Sequence, residues 1–130
     1  MKTTSAIIVC LVLASSAYAS ESKFADISHA DLVAAIASHS VVLLDANGSD
    51  SFKAGHIPGA IDYSANKDRL SSLLPPDKGA LVVAYCYNLQ CPAYRLAAED
   101  AAKLGYTNIK HYRPGITGWK ESGAPIEKGS

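Results

Sequence analysis

The chain predicts an α/β domain built on a parallel sheet, and three observations carry that reading. Helix-type and strand-type patterns alternate through residues 28–119. Two strand-type runs, Val41-Val42-Leu43-Leu44 and Leu81-Val82-Val83-Ala84-Tyr85, are apolar without alternation, as strands covered on both faces are. Each run leads into turn residues and then a helix-forming segment, the order of a βα unit rather than a hairpin.

The elements follow in order. Ser28 with Asp31 marks a helix start, and Leu32, Ala35 and Ile36 supply its apolar face before Ser38-His39-Ser40 breaks the pattern. Asp45 ends the first apolar run, Asn47-Gly48-Ser49-Asp50 is turn chemistry, and residues 51–54 can wind a short helix. Gly55-His56-Ile57-Pro58-Gly59-Ala60 is a glycine-bounded turn, after which Ile61 begins a brief extended piece. Residues 67–74 predict a short helix stopped by Pro75-Pro76, and Asp77-Lys78-Gly79 turns the chain into the second apolar run.

Pro92 suits the first turn of the next helix. Ala93, Leu96, Ala97, Ala101 and Leu104 recur at three- and four-residue steps, and Gly105 stops it. Residues 108–112 are a further strand candidate, followed by Pro114-Gly115 and a last helix around Trp119.

At 130 residues with 48% hydrophobic residues, the chain is sized for one domain with one core. Twelve acidic residues balance twelve basic ones, so no net field argues for nucleic acid or another polyanion as partner. Residues 1–19 have the three-part design of a secretory signal: Lys2, an apolar stretch over residues 6–14, and Ala17-Tyr18-Ala19 as a cleavage site. That stretch falls short of the roughly 20 apolar residues that span a bilayer. The expectation is an exported protein, periplasmic or secreted, with residues 20–130 as its single domain and no membrane association once the signal is removed.

Of the three cysteines, Cys10 lies in the signal, which leaves Cys86 and Cys91. Cys86 ends a buried strand and opens a polar loop, Tyr87-Asn88-Leu89-Gln90-Cys91, that Pro92 converts into a helix. This setting delivers a sulfur rigidly to the C-terminal edge of a parallel sheet, where ligands of such sheets bind. Loop N–H groups and the positive end of the helix dipole there favour a thiolate. In an oxidising compartment the pair can instead be a structural disulfide, although so short a loop removes little chain entropy. Zinc would need two further ligands at suitable spacing, and His29, His39 and His111 have no companions that supply them. No metal or other cofactor is expected.

Five successive segments resemble the signatures of a single rhodanese domain: Leu43-Leu44-Asp45-Ala46, Gly55-His56-Ile57-Pro58-Gly59-Ala60-Ile61, Tyr85-Cys86, Leu104-Gly105-Tyr106-Thr107-Asn108-Ile109, and Gly115-Ile116-Thr117-Gly118-Trp119. The resemblance runs from about Asp26 to Pro125. It implies a three-layer α/β sandwich, with a central parallel five-stranded sheet and helices on both faces. It also implies that Cys86 is the catalytic cysteine, which takes a sulfane sulfur from a small donor, becomes a persulfide and passes the outer sulfur to a thiol acceptor, a protein thiol among the candidates, or to another nucleophile. Tyr87, Asn88, Leu89, Gln90 and Cys91 would bind substrate mainly through their backbones.

Three departures from the family pattern stand out, and the first bears on the chemistry. The loop carries no charged residue and ends in Cys91, where active rhodaneses place a cation, so an anionic donor such as thiosulfate loses a charge-assisted contact. Arg113, ahead of Pro114-Gly115, is the candidate substitute for anion contact. Asn47 stands where an arginine is common, and Pro114 replaces the first glycine of a double-glycine turn. Phosphoryl chemistry is disfavoured, because the seventh position counted from Cys86 is Pro92, which offers neither a cation nor an N–H.

Cys91 is also a candidate resolving thiol, which would attack the persulfide and leave a disulfide. A thiol-disulfide redox protein using Cys86 and Cys91, and a noncatalytic binding module, stay open as alternatives. The resemblance makes His56 a structural residue of its turn. Asp45 is read as a backbone cap, Arg95 as part of a solvated helix face, and Tyr112 and Trp119 as core.

Overall fold

The structure is a computed structural model that describes residues 23–130. The expected signal, residues 1–19 with Cys10, lies outside the described residues. Among the described residues five strands form one all-parallel sheet in the order β1-β5-β4-β2-β3: β1 is Ala25–Asp26, β2 Val42–Asp45, β3 Ile61–Asp62, β4 Val82–Tyr85 and β5 Ile109–His111. The central strand is β4, paired in register with β2 (Leu44 with Ala84) and with β5 (Ala84 with His111). All four of its residues are buried, which explains the run without alternation.

Helices cover both faces. On one, α5 (Tyr94–Lys103) lays Tyr94, Ala97, Ala98 and Ala101 on Leu44, Val82, Ala84 and Ile109, joined by Tyr63 of α3 (Tyr63–Asn66) and Leu70 of α4 (Leu70–Leu73). On the other, Leu32 of α1 (His29–Ala37) and Ile116 and Trp119 of α6 (Gly115–Glu121) pack on Leu43, Val83 and Tyr85. The three-layer sandwich is therefore as the sequence implies.

Local chemistry sets the boundaries. Ser28 caps α1 by accepting from the Asp31 N–H at 3.1 Å. The α2 helix, Ser49–Ala54, starts two residues earlier than expected, because Gly48 (φ 89°) reverses the chain immediately before it. The helix expected over residues 67–74 is a broken rod instead. Asp62 caps α3 through the Ala65 N–H at 3.3 Å, a 3₁₀ turn spans Lys67–Arg69, and only then does α4 begin. The α5 face also differs from expectation. Its buried stripe is Tyr94, Ala97, Ala98 and Ala101, which leaves Leu96 62% exposed.

Candidate functional site

Cys86 follows directly on β4 and is 1% exposed. Its side chain shares a cluster with Ala84, Tyr94 and Ala97, on the α5 face of the sheet, as alternation from Val82 and Ala84 dictates. The loop 87–91 leads through Pro92 and Ala93 into α5, so the cysteine lies at the C-terminal edge of the central strand and ahead of a helix N-terminus. The Cα atoms of Cys86 and Cys91 are 6.2 Å apart, and their sulfurs are joined as a disulfide. Cys86 Sγ also lies 3.2 Å from the Cys91 carbonyl oxygen. A disulfide sulfur carries no proton, so this contact becomes a hydrogen bond only after reduction.

The loop is held from below. Ile116 N–H donates to the Cys86 carbonyl at 2.9 Å and Thr117 N–H to the Tyr87 carbonyl at 3.0 Å, so the start of α6 clamps the first two peptides of the loop. Gly115 makes that approach feasible. It sits at φ +64°, and a β-carbon there would come within 2.6 Å of the Cys86 oxygen. Sequence reading placed Gly115 in a turn and gave it no link to Cys86.

Of the loop amides, Cys91 N–H donates to the Asn88 carbonyl at 3.2 Å and Gln90 N–H to Asn88 Oδ1 at 3.1 Å. Those two are used within the loop. The amides of Tyr87, Asn88 and Leu89 donate to no other atom among the described residues. The side chains of Tyr87, Leu89 and Gln90 are exposed, whereas Asn88 and Cys91 are half-buried.

Arg113, the candidate anion contact, is exposed and pairs with Asp26 across the strand edge at 3.5 Å, so its charge is partly engaged. Asp26 also lies 3.7 Å from His111 Nδ1. His111 is buried, stacks on the Tyr94 ring with 3.3 Å between centroids, and leaves Nε2 without a hydrogen-bond partner. Burial, the dominant cause, pushes its pKa down to about 4; Asp26 opposes that shift, and Arg113 and Arg95 add to it. Arg95 is exposed on α5, in agreement with a solvated face.

Beneath the loop, on the opposite face, Tyr85 Oη donates to Asp45 Oδ2 at 2.7 Å and accepts from the Ile57 N–H at 3.1 Å. Asp45 Oδ1 accepts from the Asn47 N–H at 2.8 Å, the capping role expected of it. Burial raises the Asp45 pKa despite the hydrogen bonds from Tyr85 and Asn47 that lower it. This network ties β2, β4 and the turn before β3 into one support. His56 is structural as well, with Nδ1 2.7 Å from the Phe52 carbonyl, its ring stacked on Phe52, and Nε2 3.5 Å from Glu127. Tyr112 and Trp119 are core residues, 1% and 3% exposed. Among the described residues no group of three or more His, Cys, Asp or Glu could hold a metal ion, and no helix is long and apolar enough to cross a membrane.

Fold and loop together define a parallel α/β domain with a cysteine-bearing turn at the C-terminal rim of its central strand. The chain belongs to the family described as the rhodanese-like domain, whose model matches residues 28–122. It is similar to the BH2092 protein of Bacillus halodurans (TM-score 0.63, 25% identity, 80% of this chain and 77% of that one). A thiosulfate sulfurtransferase from Pseudomonas aeruginosa shares the fold (TM-score 0.63, 22% identity, 82% of this chain and 21% of that one). Among curated proteins it resembles the HTH-type transcriptional regulator Rv0324 of Mycobacterium tuberculosis, at 31% identity over 109 residues. That match covers 80% of this chain but only 45% of the regulator.

Proposed function

We propose that this protein is a sulfurtransferase in which Cys86 carries sulfane sulfur as a persulfide. The observation that supports this most directly is the position of Cys86 at the tip of the central strand in a rhodanese-like domain, with the free amides of Tyr87, Asn88 and Leu89 in the same loop. The reduced Cys86 thiolate attacks the outer sulfur of a small donor and forms the S–S bond of the persulfide, and the donor leaves with the electron pair of its broken S–S bond. A thiol then attacks the outer sulfur and restores Cys86. The uncharged loop disfavours thiosulfate relative to a neutral or weakly charged donor. Export to an oxidising compartment, periplasmic or extracellular, is part of the same proposal.

A second reading, a thiol-disulfide redox protein, is favoured by the bond between Cys86 and Cys91. One experiment separates the two. Reduced protein is incubated with several sulfane donors, and the intact masses of wild type, Cys86→Ser and Cys91→Ser are recorded. A gain of one sulfur that requires Cys86 supports transfer. Loss of two hydrogens that requires both cysteines, with no sulfur gained from any donor, supports redox cycling. No change at all leaves a noncatalytic binding module.

A further inference from the structure

The disulfide presents its two sulfurs unequally. Cys86 is 1% exposed, whereas Cys91, at the far end of the loop, is half-buried. Thiol-disulfide exchange requires the incoming thiolate to reach a sulfur, so access decides which one is attacked. The segment that carries this bond exposes large apolar side chains, with Gln90 and Arg95 exposed among them. Five large hydrophobic residues are exposed among the described residues, and three of them, Tyr87 (59%), Leu89 (58%) and Leu96 (62%), fall within the ten-residue segment 87–96. The 87–91 loop between the two sulfurs has no charged side chain.

We propose that Tyr87, Leu89 and Leu96 form a docking surface for a protein dithiol, which opens the disulfide by attack on Cys91 and releases Cys86 as the working thiolate. The occupant is a polypeptide because a small thiol gains nothing from an apolar rim, whereas a protein that carries its dithiol on an apolar surface buries that rim as it approaches. The electrons balance in two steps. The partner's first thiolate bonds to Cys91 Sγ, and the old S–S bond leaves its electron pair on Cys86 Sγ. The partner's second thiol, losing its proton to solvent, then attacks its own first sulfur and frees the Cys91 thiolate, so the partner is oxidised by two electrons and the disulfide reduced. This deepens the sulfur-transfer reading, since the partner sets when Cys86 can accept sulfur, but its test uses no sulfur donor.

Oxidised protein is mixed with thioredoxin, or separately with dithiothreitol, and thiol release is timed by alkylation and mass measurement for wild type and Leu96→Asp. Leu96 lies outside the loop, so the dithiothreitol rate reports whether the loop itself is intact. The expectation is a fall of about fivefold or more with thioredoxin, the size of a lost interface contact, and an unchanged rate with dithiothreitol. Thioredoxin lacking its second cysteine should be captured on Cys91, with Cys86 free to alkylate. Equal effects on both reductants, no effect on either, capture on Cys86, or oxidised protein without the Cys86 to Cys91 bond would each overturn the proposal. Persulfide formation can fail in its own assay without touching these readouts.

Discussion

Gly115 stands against the backbone of Cys86 so closely that the smallest side chain would put a carbon 2.6 Å from the Cys86 carbonyl oxygen. The same contact carries the Ile116 N–H to that oxygen, so Cys86 is positioned through its peptide by a helix almost thirty residues further on. Gly115→Ala adds a β-carbon in the left-handed region and a clash with backbone that cannot swing aside. We expect a loss of about 3 kcal/mol or more in denaturant unfolding, from strain and overpacking together. Cys86 alkylation in the reduced variant should also change rate. Unfolding and alkylation like those of wild type would show that the clamp is not needed.

Tyr85→Phe removes one hydroxyl, which leaves the buried Ile57 N–H without its acceptor and Asp45 Oδ2 without its donor, while Oδ1 keeps the Asn47 N–H. The expected cost is about 2–4 kcal/mol, because a buried carboxyl and a buried amide each lose a partner. Asp45→Asn in that background should recover part of it. A Tyr85→Phe protein with the wild-type midpoint in urea would contradict the support network.

Acid sensitivity should trace to His111. Its ordinary value is 6.5 and its native value about 4, so between these limits the unfolded chain binds the extra proton. Stability from this group is therefore present above about 6.5 and lost as the pH falls toward about 4. Asp45, whose native pKa is raised, acts in the opposite sense over the acid range. The comparison to make is wild type against His111→Phe, which keeps an aromatic ring on Tyr94. The variant should lose less stability than wild type between pH 7 and 4, and a difference between the two that is constant with pH would count against the assignment.

Reduction should cost little stability. A disulfide closing a loop of six residues restricts the unfolded chain by about 2 kcal/mol at most. Dithiothreitol is expected to lower the midpoint modestly and leave one cooperative transition. Unfolding on reduction would mean the bond is a structural clip.

What the sequence made legible was whatever depended on neighbours along the chain. The βα order, the unalternating runs and the place of Cys86 between strand and loop all come from local pattern, and the fold follows them. Strand β1 was invisible to such reading, because Ala25–Asp26 is two exposed residues long and becomes a strand only by pairing with Lys110 and His111. Leu96 was misassigned because alanines surround it; the helix turns Tyr94 and its small residues to the sheet and lets the larger leucine face outward. The pairing of Arg113 with Asp26, the free Nε2 of His111 and the clamp by Gly115 join residues far apart in the chain. No spacing rule reaches them.

Placing the cysteine at the end of a strand with a neighbour on either side has a kinetic consequence. The amide protons of β4 are the ones that deuterated solvent should replace last, since they open only when the whole sheet comes apart. The loop beyond hangs from that fixed root, tied at its far end by the bond to Cys91. Heat should thus displace the cysteine and melt the fold in a single event, with no earlier temperature at which the domain survives but its cysteine has drifted out of place.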